Sequence, residues 1–319
     1  MPKVSVIVPV YGVEKYIERC ARSLFEQTLD DIEYLFIDDC TPDRSIEILQ
    51  QVLEEYPQRK PQVVIHRMEK NSGQAAVRKW GMQNATGEYV IHCDSDDWVD
   101  TDMYRAMYEK AKEEEADVVV CDFTRTDGIR TNRTEIGCHD TNLIEYKKNC
   151  LFQRDHWSLC NKLFARACYR EITYPETALG EDMMMCVQML DHCRKLSYIN
   201  KAFYNYYFNP GSITKKRTVE NCSKNYYSLK QNTDFTTEFI KNTYDNNIDI
   251  DLASKYLKMV NAFVLLPIKH LSKYNEIWRH ELPVMPFRYF INMKCGYYNK
   301  VIYILAVLGL YPRKKDRAV

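Results

Sequence analysis

The first 121 residues alternate short apolar runs with segments of helical periodicity, and this alternation limits the possible folds more than any other feature of the chain. The predicted strands are Val4–Val8, which Pro9 ends, Tyr34–Ile37, Val63–His66, Tyr89–Cys93 and Asp117–Cys121. The predicted helices are Glu14–Gln27, Asp43–Tyr56, Ser72–Ala85 and Asp102–Glu115. Such an order is typical of a doubly wound α/β sheet, whose strand ends bring polar residues to one edge.

Size and charge narrow the class of protein further. The 319 residues allow one large α/β core with an appended region. Lysine plus arginine and aspartate plus glutamate both number 44, so the formal net charge is zero. This balance argues against a general nucleic-acid or polyanion binder, and no nucleic-acid partner is expected.

The N-terminus and the cysteines point to a reducing compartment. Met1–Lys3 leads directly into the first predicted strand, without the basic and apolar segments of a secretory signal. The twelve cysteines are scattered singly, with no Cys-x-x-Cys pair. We interpret them as reduced core residues rather than a disulfide framework or a zinc site, and we expect a cytoplasmic protein.

The densest group of carboxylates is Asp94, Asp96 and Asp97, which follow a predicted buried strand. Ligands of open α/β sheets bind at the carboxyl ends of the strands. Carboxylate oxygens suit Mg²⁺ or Mn²⁺, which bind through a few carboxylates together with substrate phosphates. We therefore predict a divalent-metal site for a nucleotide diphosphate. Capping of the next helix by Asp97 or Asp100 is the alternative, but a cap accounts for only one of the three carboxylates.

Polar residues also follow the first and second predicted strands. Pro9–Tyr11 offers backbone groups and an aromatic face to a nucleotide base, although an ordinary strand exit has the same composition. Asp39 follows the second strand, where a carboxylate can accept the N–H of a uracil ring. Its neighbours Asp38 and Asp43 are equally consistent with helix caps, so we favour Asp39 as the base-binding residue.

The third predicted helix brings an arginine to the same edge. Asn71–Gly73 opens this helix, and Arg78 lies about two turns further along. The guanidinium group is expected either to reach the phosphates of a nucleotide or to pair with Asp94. Both alternatives keep Arg78 at the site.

Four segments carry a family resemblance in their order and spacing, and they are Val4–Tyr11, Ile37–Asp39, Asn71–Gly73 and Asp94–Asp97. Together they resemble the family 2 glycosyltransferases of the capsule and exopolysaccharide type. The resemblance implies a GT-A fold and inverting transfer from a nucleotide sugar. It also implies that Asp39 holds uracil, that Asp94 and Asp96 hold ribose and metal, with Asp96 the direct ligand, and that Asp97 supports them.

Two positions depart from the family pattern. The acidic pair after the second strand is usually followed by Gly-Ser, whereas this chain has Cys40-Thr41-Pro42. The third helix usually carries Ala-Arg-Asn, whereas this chain has Val77-Arg78-Lys79. The turn after Asp39 is therefore expected to differ, and the arginine is retained without its usual neighbour.

A second acidic element lies at Gly180–Asp182, ahead of the apolar helical run Met183–Leu190. Inverting transfer needs a base that deprotonates the acceptor hydroxyl, and a positioned carboxylate is adequate for that role. The resemblance places the role on Asp182, with Glu181 beside it. Without the family, the two acids are equally consistent with favourable placement at a helix N-terminus.

Two later segments have possible roles at the site, with less support from the family pattern. Lys162, in the segment Trp157–Phe164, is predicted either to screen a pyrophosphate or to lie solvated at the edge of a core segment. The loop Pro210–Lys215 is predicted either to fold over the bound donor as a lid or to be a hairpin exit. The complete set of predicted donor-binding residues is Pro9, Val10, Tyr11, Glu14, Asp39, Asn71, Arg78, Asp94, Ser95, Asp96 and Lys162.

We divide the chain into a GT-A catalytic domain over residues 1–218 and a helical region over residues 219–319. Within the first, residues 1–122 are predicted to bind the nucleotide sugar and residues 123–218 to bind the acceptor. The apolar segment Tyr297–Leu310 is too short to span a bilayer. Together with the basic cluster that follows it, it is expected either to lie on the inner face of the plasma membrane or to pack on the catalytic domain.

The predicted function is an inverting, metal-dependent glycosyltransferase that uses a nucleotide sugar, with a UDP-sugar favoured, and Mn²⁺ or Mg²⁺. The expected acceptor is a saccharide or a lipid-linked saccharide in cell-surface polysaccharide synthesis. The alternatives are a nucleotidyltransferase of similar fold and a catalytically silent nucleotide-sugar binding module. The sequence lacks the glycine-rich basic phosphate loop expected of the former after the first strand. The donor sugar, the acceptor and the linkage cannot be read from the sequence.

Overall fold

A computed structural model describes residues 1–129, 132–135, 137, 139–152, 154–209, 218–244, 249–268, 271–284, 286 and 297–308. Its strands are β1 (Val4–Val10), β2 (Ile32–Asp38), β3 (Val63–Arg67), β4 (Tyr89–His92), β5 (Trp98–Val99), β6 (Val118–Thr126), β7 (Asn132–Glu135), β8 (Lys162–Ala165) and β9 (Leu196–Tyr207). Its α-helices are α1 (Ile17–Phe25), α2 (Ser45–Glu54), α3 (Gln74–Asn84), α4 (Met103–Glu113), α5 (Leu143–Leu151), α6 (Glu181–His192), α7 (Val219–Thr243), α8 (Ile250–Val264), α9 (Ser272–Glu281) and α10 (Tyr297–Val307).

The described strands form one mixed sheet in the order β3-β2-β1-β4-β8-β6-β9-β5, with β7 paired to β6. The pairs β1–β2, β1–β4 and β2–β3 are parallel, and so is β6–β9. The strand β8 runs antiparallel to both of its neighbours, β4 and β6. The predicted doubly wound mixed sheet is confirmed, and β8 joins its parallel first half to its second half.

Helices cover both faces of the sheet because successive strands are buried on both sides. One core cluster packs α1, α2 and α4 against one face, through residues such as Ile17, Leu49 and Met107. A second cluster packs α3, α5 and α6 against the other face, through residues such as Val77 and Met185. The sheet is therefore enclosed along its length, and its strand ends remain available for a site.

Pro9 does not end β1, which continues to Val10. Proline lacks a backbone N–H, so it is tolerated in a strand only where that group would find no partner. The register pairs Ile7 with His92, the last residue of β4, and Pro9 and Val10 with Ile37 and Asp38 of β2. The missing N–H of Pro9 faces the side on which β4 has already ended, so the strand extends two residues beyond its predicted end.

The helices beyond Val219 pack on the α/β body and on one another. Within α7 and α8, Ile240 and Leu257 belong to the same core cluster as α6. A smaller cluster around the fully buried Trp278 joins α7, α8, α9 and α10. The predicted helical C-terminal region is thus present, and among the described residues no helix combines the length and apolar character needed to cross a membrane.

Candidate active site

The acidic segment that follows β4 is fixed to the end of β9. The hydroxyl of Tyr204 donates to Asp97 Oδ2 at 2.6 Å, and the backbone N–H of Tyr207 donates to Asp97 Oδ1 at 2.7 Å. The backbone N–H of Asp94 donates to the Tyr204 hydroxyl at 3.1 Å. Burial raises the pKa of Asp97 well above its usual value, and the charges of Asp96 and Asp94 raise it further. Asp97 therefore holds the loop in place from within, while Asp94 and Asp96 remain half-buried beside it.

Asp96 is held from its carboxylate and from its backbone. Its Oδ2 accepts a hydrogen bond from Asn209 Nδ2 at 2.9 Å. Its carbonyl oxygen accepts from Arg19 at 2.9 Å, and that guanidinium group lies 3.7 Å from the centre of the Trp98 ring. Burial raises the pKa of Asp96, and the neighbouring Asp94 charge adds to the effect. A cation between these carboxylates would relieve that repulsion.

Arg78 joins the two acidic elements. Its guanidinium donates to Asp94 Oδ1 at 2.8 Å and lies 3.7 Å from Glu181 Oε1. Burial acts to lower the pKa of Arg78, but the charge of Asp94, joined by that of Glu181 when Glu181 is ionised, outweighs burial and raises that pKa. The predicted pairing with Asp94 is present, and the contact with Glu181 extends it across the sheet to the start of α6.

Helix capping does not account for these carboxylates. The helix α4 begins after Asp102, whose side chain makes no capping hydrogen bond. The backbone N–H of Tyr104 instead donates to Gln27 Oε1 at 3.2 Å. The capping alternative for Asp97 and Asp100 is therefore wrong, because a glutamine from a distant part of the chain fills that position.

Asp94 and Asp96 are the two half-buried carboxylates of this loop that could hold a metal ion. Within the described ranges, no group of three or more histidine, cysteine, aspartate or glutamate side chains is placed to hold a metal ion. A hard divalent cation commonly takes one or two protein carboxylates and completes its shell with water and substrate phosphates. The half-buried, mutually repelling pair fits that mode of binding, and it does not fit an all-protein metal cage.

Asp39 is buried beside the segment that opens α3. Its Oδ1 accepts from the backbone N–H of Ser72 at 2.7 Å, and its Oδ2 accepts from that of Gly73 at 2.8 Å. Each carboxylate oxygen retains further acceptor capacity. The neighbouring Asp38 instead accepts from Thr41 N and Arg67. Asp38 therefore orders the turn after β2. Asp39 is the remaining carboxylate, and it lies between the C-terminal end of β2 and the N-terminal end of α3.

The other residues predicted to bind the donor lie around this edge with different accessibility. Tyr11 and Asn71 are exposed, so their side chains are available to a ligand. The side chain of Val10 is fully buried, and its carbonyl accepts from the N–H of Asp39. Glu14 is exposed and accepts from the N–H of Arg44 at 3.3 Å. Pro9 is half-buried and Ser95 is buried within the acidic loop.

Asp43 is a structural residue of the neighbouring turn. Its carboxylate accepts from the N–H and hydroxyl of Ser45, from the Thr41 hydroxyl and from the N–H of Glu14. The same Thr41 hydroxyl accepts from the N–H of Gly12. These contacts tie the β1–α1 turn to the N-terminal end of α2. The departure Cys40-Thr41-Pro42 thus has a local role, with Cys40 at a positive φ of 56°.

The acids at the start of α6 face two different environments. Gly180, with φ of +81°, turns the chain into the helix. Glu181 is buried toward Arg78, and burial raises its pKa to about 8, with the Arg78 charge opposing and the Asp182 charge adding to the shift. Asp182 is half-buried, accepts from the N–H of Met183 at 2.8 Å and lines an open cavity. Of these two acids, only Asp182 lines that cavity.

The cavity beside Asp182 has a volume of about 690 Å³ and lies between the α/β body and the C-terminal helices. One wall is polar and aromatic, and it includes Arg125 and Tyr206. The opposite wall is largely apolar and comes from α7 and α8, with Leu229 and Val260 among its side chains. The space suits a second substrate of saccharide size, next to a carboxylate that can accept its proton.

Both interpretations of Lys162 are wrong. The side chain is fully buried rather than solvated. Its ammonium group donates to the carbonyls of His156 and Ser158, at 2.7 and 2.8 Å, and to Asn161 Oδ1 at 3.0 Å. An ammonium group has three hydrogens, so none is left for a pyrophosphate. The loop Pro210–Lys215 lies outside the described residues.

Several residues that shape this site were not predicted from the sequence. Arg19, Tyr204 and Asn209 all contact the acidic loop, although they come from α1 and from the end of β9. The one available signal is composition: the segment Tyr204–Asn209 is rich in tyrosine and asparagine and follows a strand. The spacing of residues in the sequence does not predict that this segment lies next to Asp96. Its position depends on where β9 lies in the strand order of the sheet.

Residues 5–173 match the model of glycosyl transferase family 2. The uncharacterized glycosyltransferase EpsJ of Bacillus subtilis is 31% identical over 67% of this chain and 64% of its own length. Glycosyltransferase GlyA of Streptococcus pneumoniae is 29% identical over 67% of this chain and 32% of its own length. The chain thus matches less than two thirds of the length of either relative.

Among solved structures, that of S. aureus TarS 1-349 in complex with UDP-GlcNAc has a TM-score of 0.70 at 18% identity, over 97% of this chain and 88% of that one. The mannosyltransferase PcManGT of Pyrobaculum calidifontis, in complex with GDP-Man and Mn²⁺, has a TM-score of 0.59 at 15% identity over 97% and 87%. These likenesses establish the GT-A fold. Because the family match covers more than half of the chain, this protein belongs to glycosyl transferase family 2.

Proposed function

We propose that this protein is an inverting glycosyltransferase that moves a sugar from a UDP-sugar to a saccharide or lipid-linked acceptor, in cell-surface polysaccharide synthesis. The observation that carries the proposal is the chain of contacts Asp94–Arg78–Glu181, next to Asp182 in an open cavity. In this proposal, Asp94 and Asp96 serve the donor, and Asp182 serves the acceptor as the base. The relative named poly(ribitol-phosphate) beta-glucosyltransferase and the TarS complex with UDP-GlcNAc support this assignment.

In the proposed reaction, the acceptor hydroxyl attacks the anomeric carbon from the face opposite the diphosphate. The bond between the anomeric carbon and the phosphate oxygen breaks as the new glycosidic bond forms, so the configuration inverts. Asp182 takes the hydroxyl proton, and the nucleoside diphosphate leaves with the bonding electrons. Asp39 and Tyr11 are assigned to the base of the donor. Arg78 holds the Asp94 carboxylate in position during the transfer.

Asp96 and Asp94 are the residues that would hold Mn²⁺ or Mg²⁺ together with the donor phosphates. Such an ion supplies Lewis-acid neutralisation of the charge that develops on the leaving diphosphate. The solved structure of PcManGT, which contains Mn²⁺, supports this choice of ion. The side chain of Asn209 donates a hydrogen bond to Asp96 Oδ2, which orients that carboxylate.

The two alternatives for the site are less well supported by the geometry. A nucleotidyltransferase needs basic groups around the phosphates after the first strand, and the β1–α1 turn is instead ordered by Asp43 and Thr41. A silent binding module has no use for a carboxylate that can act as a base, and Asp182 lines the cavity between the α/β body and the C-terminal helices. We therefore retain the transferase as the function.

Incubation of the purified protein with MnCl₂ and UDP-glucose, UDP-galactose or UDP-N-acetylglucosamine tests the proposal through release of UDP. A transferase releases UDP faster when acceptor is present, whereas a nucleotidyltransferase releases no UDP and consumes a UDP-sugar only with added pyrophosphate, forming UTP and a sugar 1-phosphate. A silent module binds the donor, raising the melting temperature, without turnover. Binding of no nucleotide sugar in manganese buffer would overturn the proposal.

We also propose that the catalytic domain ends at residue 218 and that the protein contacts the inner face of the plasma membrane. On α10, Val301, Ile304 and Val307 are each between 36 and 39% exposed, so an apolar surface is available to a membrane. The basic cluster that follows lies outside the described residues. Removal of residues 300–319 is expected to move the protein from membrane to soluble fractions of lysed cells, and unchanged fractionation would count against membrane contact.

A further inference from the structure

Lys162 is an unusual residue because its charge is completely buried. Its side chain is 0% exposed, and no carboxylate lies within salt-bridge distance of it among the residues that the structure describes. Burial of an ammonium group is costly unless hydrogen bonds replace its water. All three N–H groups are directed at oxygen acceptors, two of which are backbone carbonyls. The chain thus uses a buried cation to fix one short stretch of backbone.

The backbone that Lys162 fixes is the segment from His156 to Ser158. The ammonium group contacts the carbonyls of both end residues. Asn161 anchors the other side of the connection, since its Nδ2 donates to the carbonyl of Cys121 in β6 at 2.7 Å. The segment is therefore cross-linked to the centre of the sheet, although residues 155–161 have no regular secondary structure.

This segment also forms a wall of the cavity that contains Asp182. Residues 155–158 all line the cavity, with His156 and Ser158 half-buried and Asp155 and Trp157 buried. The His156 ring packs edge-to-face on Phe123, with 4.9 Å between ring centres. Burial lowers the pKa of His156 to about 4, and the charges of Lys162 and Arg125 contribute. The imidazole is therefore neutral near pH 7, and it can both donate and accept hydrogen bonds.

A wall of this composition suits the hydroxyl groups and the apolar ring face of a sugar. Neutral and acidic hydrogen-bonding groups match hydroxyls, and aromatic rings pack against C–H surfaces. The wall needs a fixed backbone, because an error of about 1 Å in the placement of an acceptor costs about a hundredfold in rate. Lys162 supplies that rigidity from behind the wall, on the side away from the ligand.

We propose that residues 155–158 bind the acceptor saccharide, and that Lys162 is the positioning residue that holds them. This assignment rests on the proposed transferase function and names the acceptor subsite within it. In this assignment the fully buried lysine acts at the acceptor subsite and does not bind the pyrophosphate of the donor. It also predicts that Lys162 affects the use of acceptor and leaves the use of donor unchanged.

The test compares Lys162→Met and His156→Ala with the control Lys112→Met, which removes an exposed lysine of α4. Donors are the three UDP-sugars named above with MnCl₂, and acceptors are the methyl β-glycosides of glucose, galactose and N-acetylglucosamine. Both test variants are expected to raise the acceptor KM about tenfold or more. The donor KM and the acceptor-independent hydrolysis of donor should stay within about twofold. Amide hydrogen exchange should quicken at residues 156–158 in Lys162→Met alone.

Each outcome decides a stated point. Unchanged acceptor KM in both variants, or equal changes in acceptor and donor parameters, would overturn the proposal. If Lys162→Met does not fold, His156→Ala still tests the wall, because its ring lies on the cavity surface. If the wild-type protein binds none of the glycosides by saturation-transfer NMR in the presence of UDP, the saccharide assignment is wrong. Glycoside binding that His156→Ala abolishes, in a protein without UDP release, would instead refute the transferase and retain the binding wall.

Discussion

At the scale of the residue, the adjacent acids Glu181 and Asp182 show how environment assigns chemical roles. Successive residues of a helix point about 100° apart, so one side chain is buried against Arg78 and the other lines the cavity. The sequence predicted both as functional and favoured Asp182 through the family resemblance. It could not show that Glu181 faces the donor side, because that contact depends on the packing of α3 against α6.

Asp182→Asn is expected to lower kcat about a hundredfold or more, because the acceptor hydroxyl loses its base. The donor KM should change little, since Asp182 lies in the acceptor cavity. The matched variant Asp96→Asn should instead abolish the stabilisation by UDP with Mn²⁺ in thermal unfolding. Full transferase activity in Asp182→Asn, with activity lost in Asp96→Asn, would show that the base is wrongly assigned and that the metal assignment stands.

The raised pKa of Glu181 predicts a pH dependence of stability. The folded protein retains this proton up to a pKa of about 8, whereas the unfolded chain releases it near 4.5. The stabilisation from protonated Glu181 is therefore complete below pH 4.5 and is lost as the pH rises to 8. Glutamine cannot ionise, so the melting temperature of Glu181→Gln relative to wild type should increase by about 2 °C or more between pH 5 and pH 9.

The control for this measurement is Glu109→Gln, which removes an exposed carboxylate of α4. Its melting temperature relative to wild type should show no such trend with pH. A constant difference between Glu181→Gln and wild type across pH 5 to 9 would mean that Glu181 ionises in the fold at its ordinary pKa. That result would indicate that the Arg78 charge compensates fully for burial.

Two residues, Asp39 and Lys162, show what the sequence could not predict about individual side chains. The sequence favoured Asp39 over Asp38 as the base-binding residue without a physical criterion. The structure supplies one, because Asp39 accepts from the N–H of Gly73 at the start of α3, whereas Asp38 accepts from Arg67. Lys162 was misjudged because a lysine in an apolar segment is usually solvated. Its burial depends on two carbonyls that precede it by four to six residues in an irregular loop. No periodicity carries that information.

At the scale of the element, local patterns predicted the first half of the sheet and missed the strands that complete the site. The runs that became β1 to β4 are apolar and flanked by helices with clear spacing, so their bounds differ from the prediction by a few residues. The strand β9 spans twelve residues but mixes tyrosine with exposed polar side chains. It lies beside β6 with register shifts near Asp122, and such irregular pairing leaves no alternation to detect.

The turn into α6 depends on a glycine, and Gly180→Ala is expected to impair both stability and catalysis. Alanine at a φ of +81° is strained, and its Cβ would lie 2.6 Å from Leu229 Cδ1 of α7. We expect a loss of about 1 to 2 kcal/mol in the free energy of unfolding. Since Glu181 and Asp182 follow directly, kcat should also fall. Urea denaturation and steady-state kinetics measure the two effects.

Ala178→Gly serves as the comparison, because it changes an exposed residue of the same loop without imposing a positive φ. This variant should retain kcat even if it loses some stability. If Gly180→Ala had wild-type stability and kcat, the turn would tolerate a side chain, and the geometry assigned to the two acids would not depend on it.

At the scale of the whole molecule, the cavity that we assign to the acceptor is assembled from parts that lie far apart in the chain. Its walls come from β6, from the segment held by Lys162, from the start of α6 and from α7 and α8. The sequence predicted an acceptor half within residues 123–218 and an appended helical region. It could not place the helices over the cavity, because their amphipathic pattern is the same whichever surface they cover.

The position of α8 leads to a prediction about the C-terminal helices. Val260 lines the cavity opposite the polar wall, so Val260→Trp adds a large ring to the space meant for the acceptor. The acceptor KM should rise about tenfold or more, in keeping with the cost of misplacing a substrate. Hydrolysis of the UDP-sugar without acceptor should persist, because Asp94, Asp96 and Arg78 are not among the residues that line this cavity.

The matched variant Lys258→Trp introduces the same ring two residues earlier, at an exposed position of α8. It should leave both kinetic constants unchanged, which separates the filling of the cavity from any general effect of tryptophan on the helix. Equal acceptor KM values in the two variants would place the acceptor outside the space between α8 and the sheet. An increase confined to Val260→Trp would mean that the C-terminal helices form part of the acceptor site together with the α/β body.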